Sequence, residues 1–132
     1  MSAPDLPEPV LSDDDRAAFA RGLVQFNERL FFECHDTLED LWSGVRGAPR
    51  DFFQGLIQAA VGFYHLGNGN PKGARSVLAR SLERLARYPP RYAGVELEPL
   101  RVELALWLHA LESGAGAPAE PPRIVAASGE PA

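Results

Sequence analysis

The stretch "DFFQGLIQAAVGFYHL", residues 51–66, does more than any other part of the sequence to determine the fold. Apolar side chains recur along it at helical spacing and form one face: Phe53, Ile57, Ala60, Val61 and Tyr64. Small residues occupy the far side, where they would let another helix approach closely: Gly55, Ala59 and Gly62. Its periodic part is shorter than the ~20 residues of a membrane span. The stretch therefore predicts a buried helix at the centre of a helical domain.

Helix-start and helix-stop residues predict four more helices. Ser12 before three aspartates is a typical N-cap with acids in the first turn, whereas Pro89 and Pro90 end a helix. The five predicted helices are 12–28, 31–42, 51–66, 71–87 and 96–112. Because no stretch alternates in the manner of a strand, the predicted fold class is all-α. We expect a compact bundle of about five helices, built from two helix-turn-helix hairpins and a C-terminal helix.

The segment "GNGNP", residues 67–71, predicts the turn between the third and fourth helices. Gly67 suits the left-handed conformation that often follows a helix. Asn70 suits the N-cap of the next helix, and Pro71 suits its first turn.

Composition outside the helices predicts the domain limits. Residues 1–11 hold three prolines, which predicts a flexible N-terminus, and residues 12–112 form the helical bundle domain. Residues 113–132 are rich in Gly, Ala, Pro and Glu, so we expect a disordered tail. When Cys34 is aligned with Ala74, the two halves of the sequence show a weak internal similarity. Each half then resembles a tetratricopeptide-like hairpin. That repeat is about 34 residues long and occurs in arrays of three or more, so two imperfect copies favour a packed bundle.

Charge and cysteine content exclude some classes of protein. The chain has 132 residues and a net charge of -5, which gives no general reason to expect nucleic acid or anionic membrane as partner. One cysteine excludes an internal disulfide and suits a reducing cytoplasm. The N-terminus has no basic segment followed by an apolar one, so it does not resemble a signal peptide. We expect a soluble, cytoplasmic protein.

The charges are distributed unevenly along the chain. Residues 1–51 hold 11 acids and 5 bases, whereas residues 72–91 hold six bases and a single acid, Glu83. One interpretation is that the two surfaces complement each other within the bundle. The other is an anionic partner bound on the fourth helix, at Lys72, Arg80, Arg84 and Arg87. Independently of the charge distribution, the protein is also a candidate homo-oligomer.

The stretch "FFECHDTLEDLW", residues 31–42, separates into two faces when it is placed on a helix. Three acids fall on the face that we expect to be solvated: Glu33, Asp36 and Asp40. His35 lies within the apolar face, and Glu39 lies at its edge. Cys34 also lies on the apolar face without a basic neighbour other than His35, which predicts an inert core residue and not a nucleophile.

If the second and third helices pack with their polar edges together, the polar side chains on those edges are predicted to form one cluster. Its candidate members are His35, Glu39, Gln54, Gln58 and His65, with Arg75 as counter-ion. One interpretation is a buried network that fixes the packing of the two helices. The alternative is a divalent metal held by His35, Glu39 and His65. General acid–base catalysis is a third reading, but no nucleophile or substrate pocket can be assigned.

Three blocks, in order along the chain, resemble the domain-of-unknown-function 309 family. They are Glu33-x-His35-Asp36 with Leu38, Glu39 and Trp42; "FQGLIQAA" at residues 53–60; and Gly69-Asn70-x-x-Gly73-Ala74. The resemblance covers roughly residues 15–90 and implies a small helical bundle, but no activity. Cys34 departs from the small residue usual there, and the fifth helix and tail extend past the shared core.

We therefore expect a binding or assembly module more than an enzyme, although catalysis remains open. The alternative is a metal-binding protein or metal-dependent hydrolase that uses His35, Glu39 and His65.

Overall fold

Five α-helices make up most of the computed structural model, which describes residues 6–127. The helices are α1 (Asp13–Asn27), α2 (Phe31–Ser43), α3 (Pro49–Gly67), α4 (Pro71–Leu85) and α5 (Leu97–Ser113). Every predicted helix is confirmed, with ends that differ from the expected ones by at most two residues. In the described part of the chain, no helix combines the length and apolarity needed to cross a bilayer.

The predicted caps are present at two helix starts. The Ser12 hydroxyl accepts a hydrogen bond from the backbone N–H of Asp15, and the Asn70 side chain accepts one from Gly73. The left-handed residue of the turn is Gly69, with a φ of 72°, and not Gly67 as predicted. Helix α3 simply continues through Gly67, so the reversal of the chain falls two residues later.

Helix α3 lies between α2 and α4, and its small residues receive α4 as predicted. A Cβ placed on Gly62 would lie 2.5 Å from a methyl carbon of Leu78, and one on Gly55 would lie 2.7 Å from Leu85. The Ser81 hydroxyl donates a buried hydrogen bond of 2.7 Å to the carbonyl of Gly55. The absence of a side chain at these two glycines therefore sets how closely α3 and α4 approach.

A small three-stranded antiparallel sheet follows α4. Its strands are β1 (Arg91–Tyr92), β2 (Val95–Glu96) and β3 (Val125–Ala126), in the order β1-β2-β3. The turn between β1 and β2 places both Ala93 and Gly94 at positive φ, as a tight hairpin of primed type requires. The sequence predicted no strand, because two residues are too few to show alternation.

The segment before β3 packs on the bundle. Ile124 is fully buried, and its backbone N–H and C=O both bond to the side-chain amide of Asn27, at 2.8 and 2.9 Å. The Arg29 guanidinium donates to the carbonyls of Pro121 and Pro122. Residues 120–127, which belong to the predicted tail, thus pack against the bundle in the structure. Residues 128–132 lie outside the described part of the chain.

Residues 6–11 also contact the rest of the protein. Leu6 and Leu11 pack against the core, the Tyr92 hydroxyl donates to the carbonyl of Pro7, and the Ala93 N–H donates to Glu8 at 2.8 Å. Residues 6–11, which belong to the predicted N-terminal segment, thus contact the core and the β1–β2 turn, and residues 1–5 lie outside the described part of the chain. The packed unit extends beyond both ends of the predicted 12–112 domain.

Candidate functional site

His35 and Glu39 form a pair on the surface of α2. The Nε2 atom of His35 lies 2.9 Å from Oε2 of Glu39, one helical turn on, and its Nδ1 atom lies 3.6 Å from the Asp36 carboxylate. The side chains of His35 and Glu39 are 26% and 56% exposed. The predicted contact is present, but the pair lies at the surface and is not buried.

His65 of α3 lines the same small groove as His35. We call this the histidine groove; it encloses about 160 Å³ and is lined by Phe32, His35, Val61, Tyr64 and His65. The Nδ1 atom of His65 lies 3.5 Å from the amide nitrogen of Asn70. The structure thus brings both predicted histidines to one seam between α2 and α3.

The two glutamines lie along the same outer edge of α3. Gln54 and Gln58 are half-buried, and the side-chain oxygen of Gln58 is buried without a hydrogen-bond partner within residues 6–127. One interpretation of these residues was a buried network, but the structure leaves the His35–Glu39 pair at the surface and gives the Gln58 oxygen no partner in the described chain.

The three predicted metal ligands do not form one coordination site. Among the residues that the structure describes, no group of three or more His, Cys, Asp or Glu side chains is placed to hold a metal ion. His35 and Glu39 are already 2.9 Å apart and paired with each other. The set of His35, Glu39 and His65 is therefore not supported as a metal centre.

Arg75 does not serve as the counter-ion of Glu39. It is exposed, it forms no salt bridge within the described chain, and Glu39 pairs with His35 instead. Arg75 lines a depression together with Pro71, Lys72 and Leu111 of α5. Arg75 thus lies on the flank of α4 that faces α5 and not α2.

Three exposed apolar side chains lie at one end of the histidine groove. Phe32 and Tyr64 are 47% and 39% exposed, and their ring centroids lie 5.5 Å apart across α2 and α3. Leu30 is also exposed and lines a depression of about 330 Å³ with both. We call Leu30, Phe32 and Tyr64 the aromatic patch. The sequence analysis missed it, although Phe32 lies a quarter-turn outside the apolar face of α2.

The basic helix is partly neutralised within the chain. Asp51 of α3 pairs with Arg84 at 2.6 Å and with Arg87 at 2.9 Å, so these two arginines are neutralised in part within the chain. Within residues 6–127, Lys72 and Arg80 form no salt bridge. In the same range, three exposed acids form no salt bridge with a Lys or Arg: Glu33, Asp36 and Asp40. Intramolecular pairing thus accounts for only part of the charge asymmetry.

Cys34 is not a nucleophile. The side chain is fully buried, and burial raises the pKa of its thiol to about 12. At neutral pH the thiol stays protonated, so it cannot act as a thiolate. The prediction of an inert core residue is confirmed.

Comparison with known proteins tests the predicted resemblance. Residues 19–77 match the family described as domain of unknown function (DUF309). An uncharacterized protein of Aquifex aeolicus strain VF5 is 28% identical over 85 residues, which are 64% of this chain and 26% of the relative. The uncharacterized protein YpuF of Bacillus subtilis strain 168 is 37% identical over 70 residues, which are 52% of this chain and 40% of the relative.

The DUF309 match confirms the resemblance and contains the whole site. Its range includes the aromatic patch and the histidine groove, and it ends within α4. Helix α5 and residues 120–127 lie beyond it. The chain spans well under half the length of both relatives, and their names state no activity.

Proposed function

We propose that this protein is a protein-binding module that docks its partner on the outer surface of α2 and α3. The docking face consists of the aromatic patch and the histidine groove. The observation that supports the proposal best is a pair of exposed aromatic rings, Phe32 on α2 and Tyr64 on α3, whose centroids lie 5.5 Å apart.

Aromatic side chains are the usual energetic centres of protein interfaces. Phe and Tyr bury roughly 150–250 Å² each in a full contact, and aromatic anchors carry much of the binding energy where they occur. The backbone positions of Phe32 and Tyr64 are fixed, because the helices that carry these residues pack on a buried core that includes Leu38 and Phe63. A partner that covers the rings would gain apolar burial at little cost in side-chain order.

The charges beside the patch define the chemistry of the partner. Helix α2 exposes acids next to the rings: Glu33, Asp36, Glu39 and Asp40. No Lys or Arg lies on this helix. A segment that places Lys or Arg beside an apolar anchor would complement both features, and opposite charges across an interface raise specificity and association rate.

The size of the histidine groove suits a side chain of a protein partner. The histidine groove of about 160 Å³ is smaller than the roughly 300–1,000 Å³ of typical small-molecule sites. Its floor is apolar, since Val61 and the two rings form most of it. Such a groove suits one inserted side chain of a partner better than an entire substrate.

Selection from a phage-displayed library of random 12-residue peptides tests the proposal. On wild-type protein we expect enrichment of peptides that combine an aromatic or aliphatic residue with Lys or Arg. On the double variant Phe32→Ser/Tyr64→Ser we expect this enrichment to disappear. The matched control is Val102→Ser/Leu106→Ser, because these α5 side chains are each 54% exposed but lie far from the docking face.

The control variant should retain the selected peptides. Enrichment that survives the loss of Phe32 and Tyr64, or that disappears with Val102 and Leu106, would contradict the proposal. So would a failure of the wild-type protein to enrich any peptide.

A further inference from the structure

We infer that the partner docked on this face is a second copy of this chain. The inference rests on the proposed function and names its partner. The contact would extend the docking face across α3 to the outer side of α4, so that three neighbouring helices of each copy take part.

The order of the helices places opposite charges on opposite flanks of α3. Helix α2 lies on one side and α4 on the other. The flank formed by α2 exposes Glu33 and Asp36, and the flank formed by α4 exposes Arg80. Neither acid pairs with a Lys or Arg within residues 6–127, and Arg80 pairs with no acid there. The two flanks are complementary but do not meet within one copy.

Contacts along α3 show that the complementary charges also lie at similar heights. Phe32 of α2 touches Tyr64, and Leu78 of α4 lies against Gly62, one half-turn away along α3. Helix α2 runs antiparallel to α3, because Trp42 at its far end stacks with Arg50 at 3.8 Å. Helix α4 does so too, because Leu78 lies against Gly62 and Leu85 against Gly55. Arg80 therefore lies within about one turn, ~5 Å, of the height of Glu33 and Asp36.

A two-fold axis parallel to α3 brings these charges together. Rotation about such an axis places α3 on α3, and it places α2 of each copy over α4 of the other. Glu33 and Asp36 of one copy then face Arg80 of the other, and the contact occurs twice because the interface is isologous. An axis across the helices would place acid on acid, which is unfavourable.

The apolar residues fit the same arrangement. Tyr64 lies beside Phe32, between the axis and α2. Phe32 faces the outer side of α4, where Val77 is half-buried two turns before Arg84 and thus on the same side of that helix. Three adjacent helices give a face of roughly 20 by 30 Å. This is of the order of the ~800 Å² per partner in a stable interface.

Sedimentation equilibrium with charge-reversed variants tests the inference. We expect wild-type protein to form a dimer whose dissociation constant rises with salt. Arg80→Glu alone and Glu33→Lys/Asp36→Lys alone should each raise the dissociation constant tenfold or more, because each change places charges of the same sign opposite each other across the interface. An equimolar mixture of the two variants should form dimers again, since each acidic flank then meets a basic one.

Folding is checked by circular dichroism, and all three positions are exposed. The control variant Val102→Ser/Leu106→Ser should still dimerise. A monomeric wild-type protein at millimolar concentration, or a mixture that fails to restore dimers, would overturn the inference. Peptide selection that still depends on Phe32 and Tyr64 would in that case leave the proposed function standing, with a different protein as partner.

Discussion

At the residue scale, burial decides which reactive-looking side chains are inert. Cys34 and His35 are neighbours in the sequence, but Cys34 is fully buried while His35 lies at the surface. Helical periodicity placed Cys34 correctly in the core. It could not show whether another helix covers the edge on which His35, Gln54 and Gln58 lie, because that depends on where α1 and α5 pack.

The raised pKa of Cys34 predicts a loss of stability in alkaline solution. The thiol ionises near its ordinary value of 9.0 in the unfolded chain but only near 12 in the folded protein. The unfolded state therefore binds fewer protons between these values, so stability is full below pH 9 and falls as pH rises toward 12. From pH 8 to pH 10 the Cys34 contribution should amount to about 1 kcal/mol.

Urea midpoints at pH 8 and pH 10 measure this loss, with Cys34→Ala as the comparison. The variant should lose less stability between the two pH values than the wild-type protein. Equal losses in both proteins would contradict the assignment to Cys34. The Tyr92 hydroxyl, whose pKa burial also raises to about 12, adds its own loss above pH 10.

Exposure of the His35–Glu39 pair predicts a small effect of its removal. Glu39→Gln should lower the free energy of unfolding by less than about 1 kcal/mol, as is usual for exposed ion pairs. Glu33→Gln is the matched control on the solvated side of α2, with an expected change within about 0.5 kcal/mol. Both unfolding curves should be the same with and without EDTA.

An effect of EDTA on stability would contradict the interpretation of His35 and Glu39 as an exposed pair that binds no metal. If EDTA lowers the unfolding midpoint of the wild-type protein but not that of Glu39→Gln, then Glu39 binds a metal that stabilises the folded state by mass action. A loss well above 1 kcal/mol without EDTA would instead show a structural role.

At the element scale, caps and periodicity predict this fold well. Ser12 and Asn70 both cap the helices that the sequence assigned to them, and the small face of α3 does receive α4. What local patterns miss are features formed by distant residues. Ile124 is one apolar residue in a Pro- and Ala-rich segment, and its burial depends on Asn27, 97 positions earlier.

Close approach at Gly62 predicts that even one added methyl group is costly. Gly62→Ala would gain about 1 kcal/mol in helix propensity. It would also force its Cβ to within 2.5 Å of the fully buried Leu78, and overpacking typically costs about 1–3 kcal/mol. We expect a net loss of roughly 1 kcal/mol in chemical denaturation.

Gly67→Ala is the matched control on the same helix, because nothing lies within 4 Å of the added carbon. It should leave stability unchanged or raise it slightly. A stabilising effect of Gly62→Ala would show that Leu78 moves aside easily and that the contact does not determine the spacing of α3 and α4.

At the scale of the whole molecule, the C-terminal segment ties the two ends of the bundle together. The sequence predicted a disordered tail from residue 113, whereas Ile124 of this segment and the Asn27 side chain that it contacts are both buried. Truncation after Gly114 should therefore cost at least about 3 kcal/mol, because a large buried aliphatic side chain and its hydrogen bonds are lost together.

Thermal and urea unfolding of the truncated chain measure this cost. Ile124→Ala in the full chain should give a large part of it, about 2–4 kcal/mol. Arg123→Ala, in an exposed neighbour that donates one bond to the Asn27 carbonyl, should cost less. A truncated chain as stable as the full one would mean that the segment contributes nothing to folding.

Function depends on how the helices expose their outer surfaces together. The acids of α2, the rings of Phe32 and Tyr64 and the base Arg80 belong to three different helices, so no local pattern joins them. The uneven charge along the chain was visible in the sequence. Only the fold shows that Asp51 neutralises Arg84 and Arg87 while Arg80 stays available.

The most direct test of the central claim is a dilution series of amide nuclear magnetic resonance spectra on uniformly ¹⁵N-labelled protein. If the outer surface of α2, α3 and α4 joins two copies, the signals that shift on dilution will cluster around Phe32, Tyr64 and Arg80. Signals of Val102 and Leu106 on α5 should stay in place. Spectra that do not change with concentration, or shifts that cluster on α5, would contradict the claim.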